Sequence, residues 1–358
     1  MPSRYTRKKA RRHKPSIPGR AFLLFAVTAI LLKSGIAAKI EDTVRQSGTR
    51  FEAALMQMHE QPALLPIPGL ADPNGTTNQQ SYESLPPDHV PPTPEVPPTK
   101  TIPVTIDGTT GSYDGSNAVY IKNETDYTVD IPTLLTSKDP VRLSGDQVQV
   151  LVMHTHGTES YTPTAQYNYT PSDTDRTTDC NYNVVRIGRE ITRILNEKGI
   201  KTIHSETLND SPVYSGSYNR ALEDITAYIK DNPSIKLVID VHRDAMVSNN
   251  GTKYKTVASI DGQQTAQLML VCGTDGGGLV HDSWQDNLSF QLKLQQRLNT
   301  QWPGLMRPLN LRAARFNQHV TAGSMLLEVG TTGNTMEEAL SSARLFAEGL
   351  AEMLLERN

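Results

Sequence analysis

The stretch "VQVLVMHTHGTES", Val148 to Ser160, decides how this sequence is read. Its first half is an apolar run of strand length, of the kind that lies inside a sheet. Its second half carries His154, His156 and Glu159 directly after that run. Either these are ordinary polar residues where a strand gives way to a loop, or they are one part of a metal site. In open α/β sheets ligands bind at the carboxyl ends of the strands. What the other strands end in therefore decides between the two.

Outward from this stretch, strands and helices alternate. "NVVRIGREITRILNEKGI" sets Val184, Ile187, Ile191, Ile194 and Leu195 at helical spacing and closes on Gly199, a residue suited to a left-handed C-cap. "KTIHS" reads as a strand, "SYNRALEDITAYIKDNP" as a helix ended by Pro233, and "IKLVIDVH" as a strand. Strands are expected at "YKTVASID", "AQLMLVCG" and "LRAARF", with a helix near "DNLSFQLKLQQRLNTQW", then the strand "SMLLEVG" and a closing helix over "TMEEALSSARLFAEGLAEMLLER". This alternation predicts an α/β fold, with a mostly parallel or mixed central sheet flanked by helices.

Three of the apolar strands end in ionisable groups. They bring His154, His156 and Glu159, then Asp240, His242, Arg243 and Asp244, then Glu328. A charged Glu328 behind "MLL" is costly unless a cation or a hydrogen-bond network compensates it. Catalytic zinc sites use three protein ligands drawn from His, Asp and Glu and keep a position for water, while a separate carboxylate handles its proton. The chain supplies such a set: His156, Glu159 and His242 as ligands and Glu328 as general base. An HxH on an extended segment presents both rings to one face, so His154 is a ligand alongside or instead of His156. Asp240 is expected on the other face in a structural part, and Arg243 and Asp244 as a mutual pair. Arg243 and Asn317 are also candidates for substrate contact. The polar and aromatic loop "YTPTAQYNYTPSDTDRTTDCNYN" is long enough to be a binding lid.

The net charge of −3 and pI near 6.3 give no reason to expect nucleic acid as a partner. Positive charge is instead concentrated in residues 1–20, "RYTRKKARRHKPSIPGR" among them, directly before the apolar "AFLLFAVTAILLKSGIAA" of residues 21–38. A bilayer core takes about 20 apolar helical residues, and basic flanks stay cytoplasmic. The pair reads as a cytoplasmic tail and a single-pass membrane anchor, with a cleaved signal peptide as the rival; both export the rest of the chain. Residues 39–103 hold a short amphipathic juxtamembrane helix, then a Pro-rich linker with twelve of the 23 prolines. Residues 104–145, with the strand-like "NAVYIKN" and "DYTVDIPTLL", form a lead-in, and 146–358 the catalytic domain. Cys180 and Cys272 are too few for a disulfide scaffold, and whether they pair stays open.

"HTHGTESY", "YSGSYNRALEDITAYIKDNPSIKLVIDVHRDA" and "GSMLLEVGTTGNTMEEAL" together resemble the stage II sporulation protein P family, from about Val148 to the carboxyl terminus. That resemblance implies a membrane-anchored cell-wall hydrolase similar to the zinc-dependent N-acetylmuramoyl-L-alanine amidases. It would act on peptidoglycan during engulfment of the forespore, with stage II sporulation proteins D and M as partners. It implies Zn2+ as cofactor, "HG" at His156 as the first zinc histidine, His242 as the second and Glu328 as the catalytic glutamate. In the broader amidases the middle ligand is a glutamate at the start of the first helix. Here that helix begins "CNYNVV", and Glu159, inside the family's own motif, takes the place. The readings that compete are a non-catalytic, membrane-anchored wall-binding scaffold and a zinc endopeptidase that cuts peptide cross-links only.

Overall fold

The computed structural model describes residues 101–109, 113–116 and 118–356. The expected basic tail, membrane anchor and juxtamembrane helix, and the Pro-rich linker up to residue 100, lie outside the described residues. Among the described residues no helix is long and apolar enough to cross a membrane.

An eight-stranded sheet forms the centre. Its order is β2 (Asp114–Ser116), β3 (Val119–Asn123), β10 (Leu309–Arg312), β9 (Leu268–Gly273), β11 (Met325–Thr331), β6 (Leu237–Asp244), β4 (Val150–Met153) and β5 (Thr202–His204). Neighbours run parallel except β9 against β11 and β2 against β3, so the sheet is mixed. β4 and β9 are buried along their whole length, which is why they read as unbroken apolar runs. A smaller sheet pairs β1 (Thr101–Val104), β7 (Lys253–Ile260) and β8 (Gln263–Ala266).

The two faces of the main sheet are covered unequally. Val150 and Val152, Leu237, Ile239 and Val241, and Met325, Leu327 and Val329 point to one face. There they meet three long helices: α2 (Val184–Glu197), α4 (Trp284–Gln301) and α5 (Met336–Leu355). α2 buries Val184, Ile187, Ile191, Ile194 and Leu195, the residues its spacing predicts, and is capped by Asn183, whose side chain accepts from Val185 N. Thr335 and Glu338 close a capping box on α5, an arrangement that satisfies two otherwise orphaned backbone donors.

The alternate residues Leu151, Met153 and Val238 point the other way and pack on Ala221 and Ile225 of one helix, α3 (Ser217–Asp231). Farther along that face Met269, Val271 and Leu326 are covered by Phe316, in the left-handed turn Phe316–Asn317. Asp240, His242 and Glu328 belong to this lightly covered face, because they alternate with the residues that feed the large core.

Three expectations change. The segment expected as a lead-in contributes β3 to the central sheet, and "DYTVDIPTLL" holds a helix, α1 (Ile131–Thr136), capped by the Asp130 side chain. "YKTVASID" is a strand as expected, the middle one of the small sheet, while the strand expected at "LRAARF" lies earlier, at Leu309–Arg312. Cys180 and Cys272 are both free thiols.

Candidate metal centre and hydrolytic site

β4 ends at Met153, and the chain then leaves the sheet in a tight turn. That exit separates the two histidines. His154 stays beneath the sheet's end, while Thr155 is tied down: its N and Oγ1 donate to the Asp240 carboxylate at 2.8 and 2.6 Å. His156 is thereby carried to the other side of the turn, over the end of β6.

There His156, Glu159 and His242 converge, all buried, with one donor atom from each lying within 4.8 Å of the others. Glu159 sits between the rings, Oε1 at 3.6 Å from His156 Nδ1 and Oε2 at 3.5 Å from His242 Nδ1. The two rings stand nearly perpendicular, with centroids 5.0 Å apart. Both imidazoles thus present Nδ1 inward and face outer groups with Nε2. His156 Nε2 lies 3.1 Å from Ser217 Oγ at the start of α3, and His242 Nε2 lies 2.9 Å from Asp240 Oδ1. The second approach is close but poorly aligned, since His242 Nε2 has no partner with hydrogen-bond geometry. Outer-sphere groups of this kind fix ring orientation in metal-binding histidines.

The electrostatics agree with an ionised, cation-seeking cluster. Burial alone would raise the Glu159 carboxyl, but its contacts with His156 and His242 and the charge of Arg243 hold it well below the usual range. Burial would likewise discharge His242, yet Asp240 and Glu159 raise it well above the usual histidine range. Two acidic groups hold one proton-bearing ring, a position that a divalent cation fits. Donor types and number, their convergence and the outer contacts all suit zinc.

Glu328 pairs with His242 across the parallel β6–β11 register, and so stands one strand away on the same face. The residue is half-buried, but its Oε2 is covered and has no hydrogen-bond partner. Burial raises its pKa to about 8; His242 opposes the rise, Asp244 and Glu159 add to it, and Arg307 opposes it. A bulge follows between Glu328 and Thr331, with Gly330 at φ 65°, and turns the chain away just past the carboxyl group.

The sequence profile of stage II sporulation protein P matches residues 86–351. The chain belongs to that family. Stage II sporulation protein P of Bacillus subtilis (strain 168) is 27% identical over an alignment of 228 residues that covers 60% of this chain and 54% of the relative. The match therefore spans about half the length of that relative. Among solved structures, the N-acetylmuramoyl-L-alanine amidase of Clostridium difficile 630 aligns with a TM-score of 0.35 and 16% identity, over 59% of this chain and 97% of that one. The N-acetylmuramyl-L-alanine amidase of Mycobacterium smegmatis aligns with a TM-score of 0.35 and 14% identity, over 60% of this chain and 100% of that one.

The structure groups some expected site residues and separates others. His156, Glu159 and His242 meet, with Glu328 beside them. His154 stands apart: its Nδ1 lies 2.9 Å from Val241 O and its Nε2 2.8 Å from His204 Nε2. The expectation that HxH keeps both rings on one face fails because the strand stops before His154. Asp240 is not on the opposite face; positions two apart on a strand share a face, and Asp240 stands directly behind His242.

Arg243 and Asp244 do not pair. Asp244 meets Arg307, and Arg243 is buried, donating from N to Glu159 Oε2 at 3.0 Å and from its guanidinium to the carbonyls of Ser160 and Asp175. It braces the ligand loop from within the protein. Asn317 donates to the Tyr218 carbonyl at 2.7 Å and holds the Phe316 turn against α3. The expected lid is folded against the site. From within it, Arg176 donates to Thr158 Oγ1 at 3.0 Å, reaches toward Glu159 at 3.6 Å and lies 4.9 Å from the Tyr214 ring centroid. Ser217, Tyr214 and Tyr218 join the site without being singled out by sequence reasoning. Tyr214 stacks on His156 at 4.7 Å and Tyr218 meets it edge-on. The Tyr-x-x-x-Tyr spacing at the start of α3, opposite an apolar strand's end, is the one signal that could have suggested them.

Proposed function

We propose that this chain is a zinc-dependent peptidoglycan amidase, cleaving the amide between N-acetylmuramic acid and L-alanine of the stem peptide in septal wall remodelling during sporulation. The single observation that carries the reading is the buried convergence of His156, Glu159 and His242 beside the orphaned carboxyl of Glu328. Family membership directs that hydrolytic site to the sporulating cell's wall. Membrane attachment through residues 21–38, an extracytoplasmic site and action with stage II sporulation proteins D and M belong to the same proposal.

His156 Nδ1, Glu159 and His242 Nδ1 would hold the zinc ion, which supplies Lewis acidity and a water acidic enough to attack near neutral pH. Ser217 and Asp240 orient the two rings, and Arg243 and Arg176 steady Glu159. Glu328 takes the proton of the attacking water at its covered carboxyl and returns it to the amine leaving with L-alanine. Burial favours the protonated form of this carboxyl, which is the form that hands the proton on.

The test is digestion of purified peptidoglycan by the protein, with products read by mass spectrometry. The reading expects stem peptides with free L-alanine amino termini and intact glycan, abolished by chelation and restored by zinc. Cut cross-links with stems still on muramic acid would make it an endopeptidase instead, and bound but unchanged wall a scaffold. Glu328→Gln should retain zinc and lower turnover by about 10²–10⁴-fold. Wild-type turnover in that variant removes Glu328 from the chemistry.

A further inference from the structure

Arg176 stands beside the ligand cluster with one nitrogen engaged and the rest of its guanidinium open. The bridge between Arg176 and Glu159 brings the loop alongside the ligand segment. Nη1 donates to Thr158 Oγ1 at 3.0 Å and to Asp210 Oδ2 at 2.5 Å. Asp210 is sealed inside the protein, and its oxygens also accept from Thr158 N and Oγ1, so this anchor is fixed. Nη2 comes no nearer to Glu159 Oε1 than 3.6 Å, beyond hydrogen-bond length. Among the described residues, neither Nη2 nor Nε has a hydrogen-bond partner, and neither is shut off from solvent. The side chain keeps 20% of its surface exposed.

The guanidinium carbon lies 4.9 Å over the Tyr214 ring. A guanidinium can rest on an aromatic ring and still direct its in-plane N–H groups elsewhere. Tyr214 stacks on His156 yet is 55% exposed, and Val213 before it is exposed as well. Arg220 pins this stretch of chain, donating from Nε to Asn209 O at 2.7 Å, from Nη1 to Ser215 O at 3.0 Å and from Nη2 to Val213 O. The result is a fixed ledge next to a candidate metal ligand, with an open cationic edge lying on it. Fixing such a group in advance lowers the cost of binding.

With Glu159 committed to a cation, Nε and Nη2 are the donors that Arg176 has left to offer. Two parallel N–H groups on a flat edge match a carboxylate. In a muramoyl peptide the lactyl carboxyl is consumed in the scissile amide, so the free carboxylates belong to the stem. We propose that the Nε–Nη2 edge of Arg176, resting on Tyr214, is the subsite that binds a free carboxylate of the stem peptide. Its place beside Glu159 sets that carboxylate within about two residues of the bond cut, roughly 7 Å of extended chain. The inference rests on the hydrolytic reading of the site and deepens it by naming the substrate feature recognised.

The experiment compares two synthetic muramoyl peptides that differ only in carrying a carboxylate or its carboxamide near the start of the stem. Wild-type protein should prefer the carboxylate by about tenfold or more in kcat/KM, most of it in KM. Arg176→Ala should slow both, because Arg176 also steadies Glu159, but the preference between them should disappear. Arg176→Lys keeps the charge beside Asp210 and loses the fork, and should retain only part of the preference. No preference in the wild type, or an equal loss on both compounds in Arg176→Ala, overturns the proposal. Should Arg176→Ala not fold or turn over neither compound, Arg176→Lys decides: a reduced preference supports the subsite and an undiminished one overturns it.

Binding of the same two compounds to Glu328→Gln, read by calorimetry, needs no turnover. Absence of cleavage by wild type together with carboxylate-selective binding would sink the amidase reading and leave the subsite standing. Cleavage without selectivity would do the reverse.

Discussion

Two buried histidine pairs lie on either side of the turn after β4, and they have opposite characters. His156 and His242 stand 5.0 Å apart with Glu159 between their Nδ1 atoms. His154 and His204 stand 5.1 Å apart with nothing between them, Nε2 against Nε2 at 2.8 Å. The second pair satisfies itself. Val241 O can only accept, so neutral His154 carries its proton on Nδ1, and its Nε2 accepts the proton that His204 donates. Burial, opposed in part by the Val241 carbonyl, leaves His154 with a pKa of about 4, and His204 is held well below its usual value.

The first pair cannot satisfy itself, because Glu159 and Asp240 bring negative charge that one shared proton does not balance. Ring spacing is the same in both. What separates a hydrogen-bonded core pair from a candidate metal centre is the carboxylate between the rings and the outer groups behind them.

The sharpest way to break this comparison is to remove one member of each set. His242→Ala or Glu159→Ala should leave no bound zinc and no turnover above background, whereas His154→Gln should keep one zinc per chain, measured by elemental analysis and wall digestion. Next in size is the outer sphere. Asp240→Asn removes the carboxylate behind His242 and should weaken zinc binding by about 10–100-fold in a competitive chelator titration.

His154→Ala should destabilise the fold by about 1–3 kcal/mol in denaturant unfolding, since it strands the His204 donor inside the protein. Gly188 packs against both rings, and an added Cβ there would approach their Nε2 atoms to 2.5–2.6 Å. The smallest effect is on pH. A histidine whose folded pKa lies below its unfolded value of about 6.5 binds fewer protons folded than unfolded. Its contribution is therefore intact above about pH 6.5 and is lost as the pH falls toward the folded value of about 4. Thermal stability between those limits should fall more steeply for wild type than for His154→Gln. Parallel slopes would remove the neutral pair from the account.

The two pairs also mark how far the amino-acid sequence is legible. The apolar runs "VLVM", "KLVI" and "MLLEV" identify interior strands, and each delivers a polar group at its carboxyl end; the placement of His242 and Glu328 follows from that alone. Their grouping with His156 and Glu159 depends on the turn after Met153, which no periodicity announces. For that reason HxH reads as an extended segment and His154 as an alternative ligand. The expectation for Asp240 fails differently, through a slip in alternation that the i, i+2 rule itself corrects. Tyr214 carries only the Tyr-x-x-x-Tyr spacing as a signal: it sits in the loop before α3, and the path of that loop brings it onto His156.

The most direct test is an anomalous difference map at the zinc edge from crystals of the protein grown with zinc. The account predicts one strong peak bonded to His156 Nδ1, His242 Nδ1 and a Glu159 oxygen, with Glu328 nearby and unbonded. A peak held by His154 or His204, or the absence of any peak among these residues at saturating zinc, would contradict it.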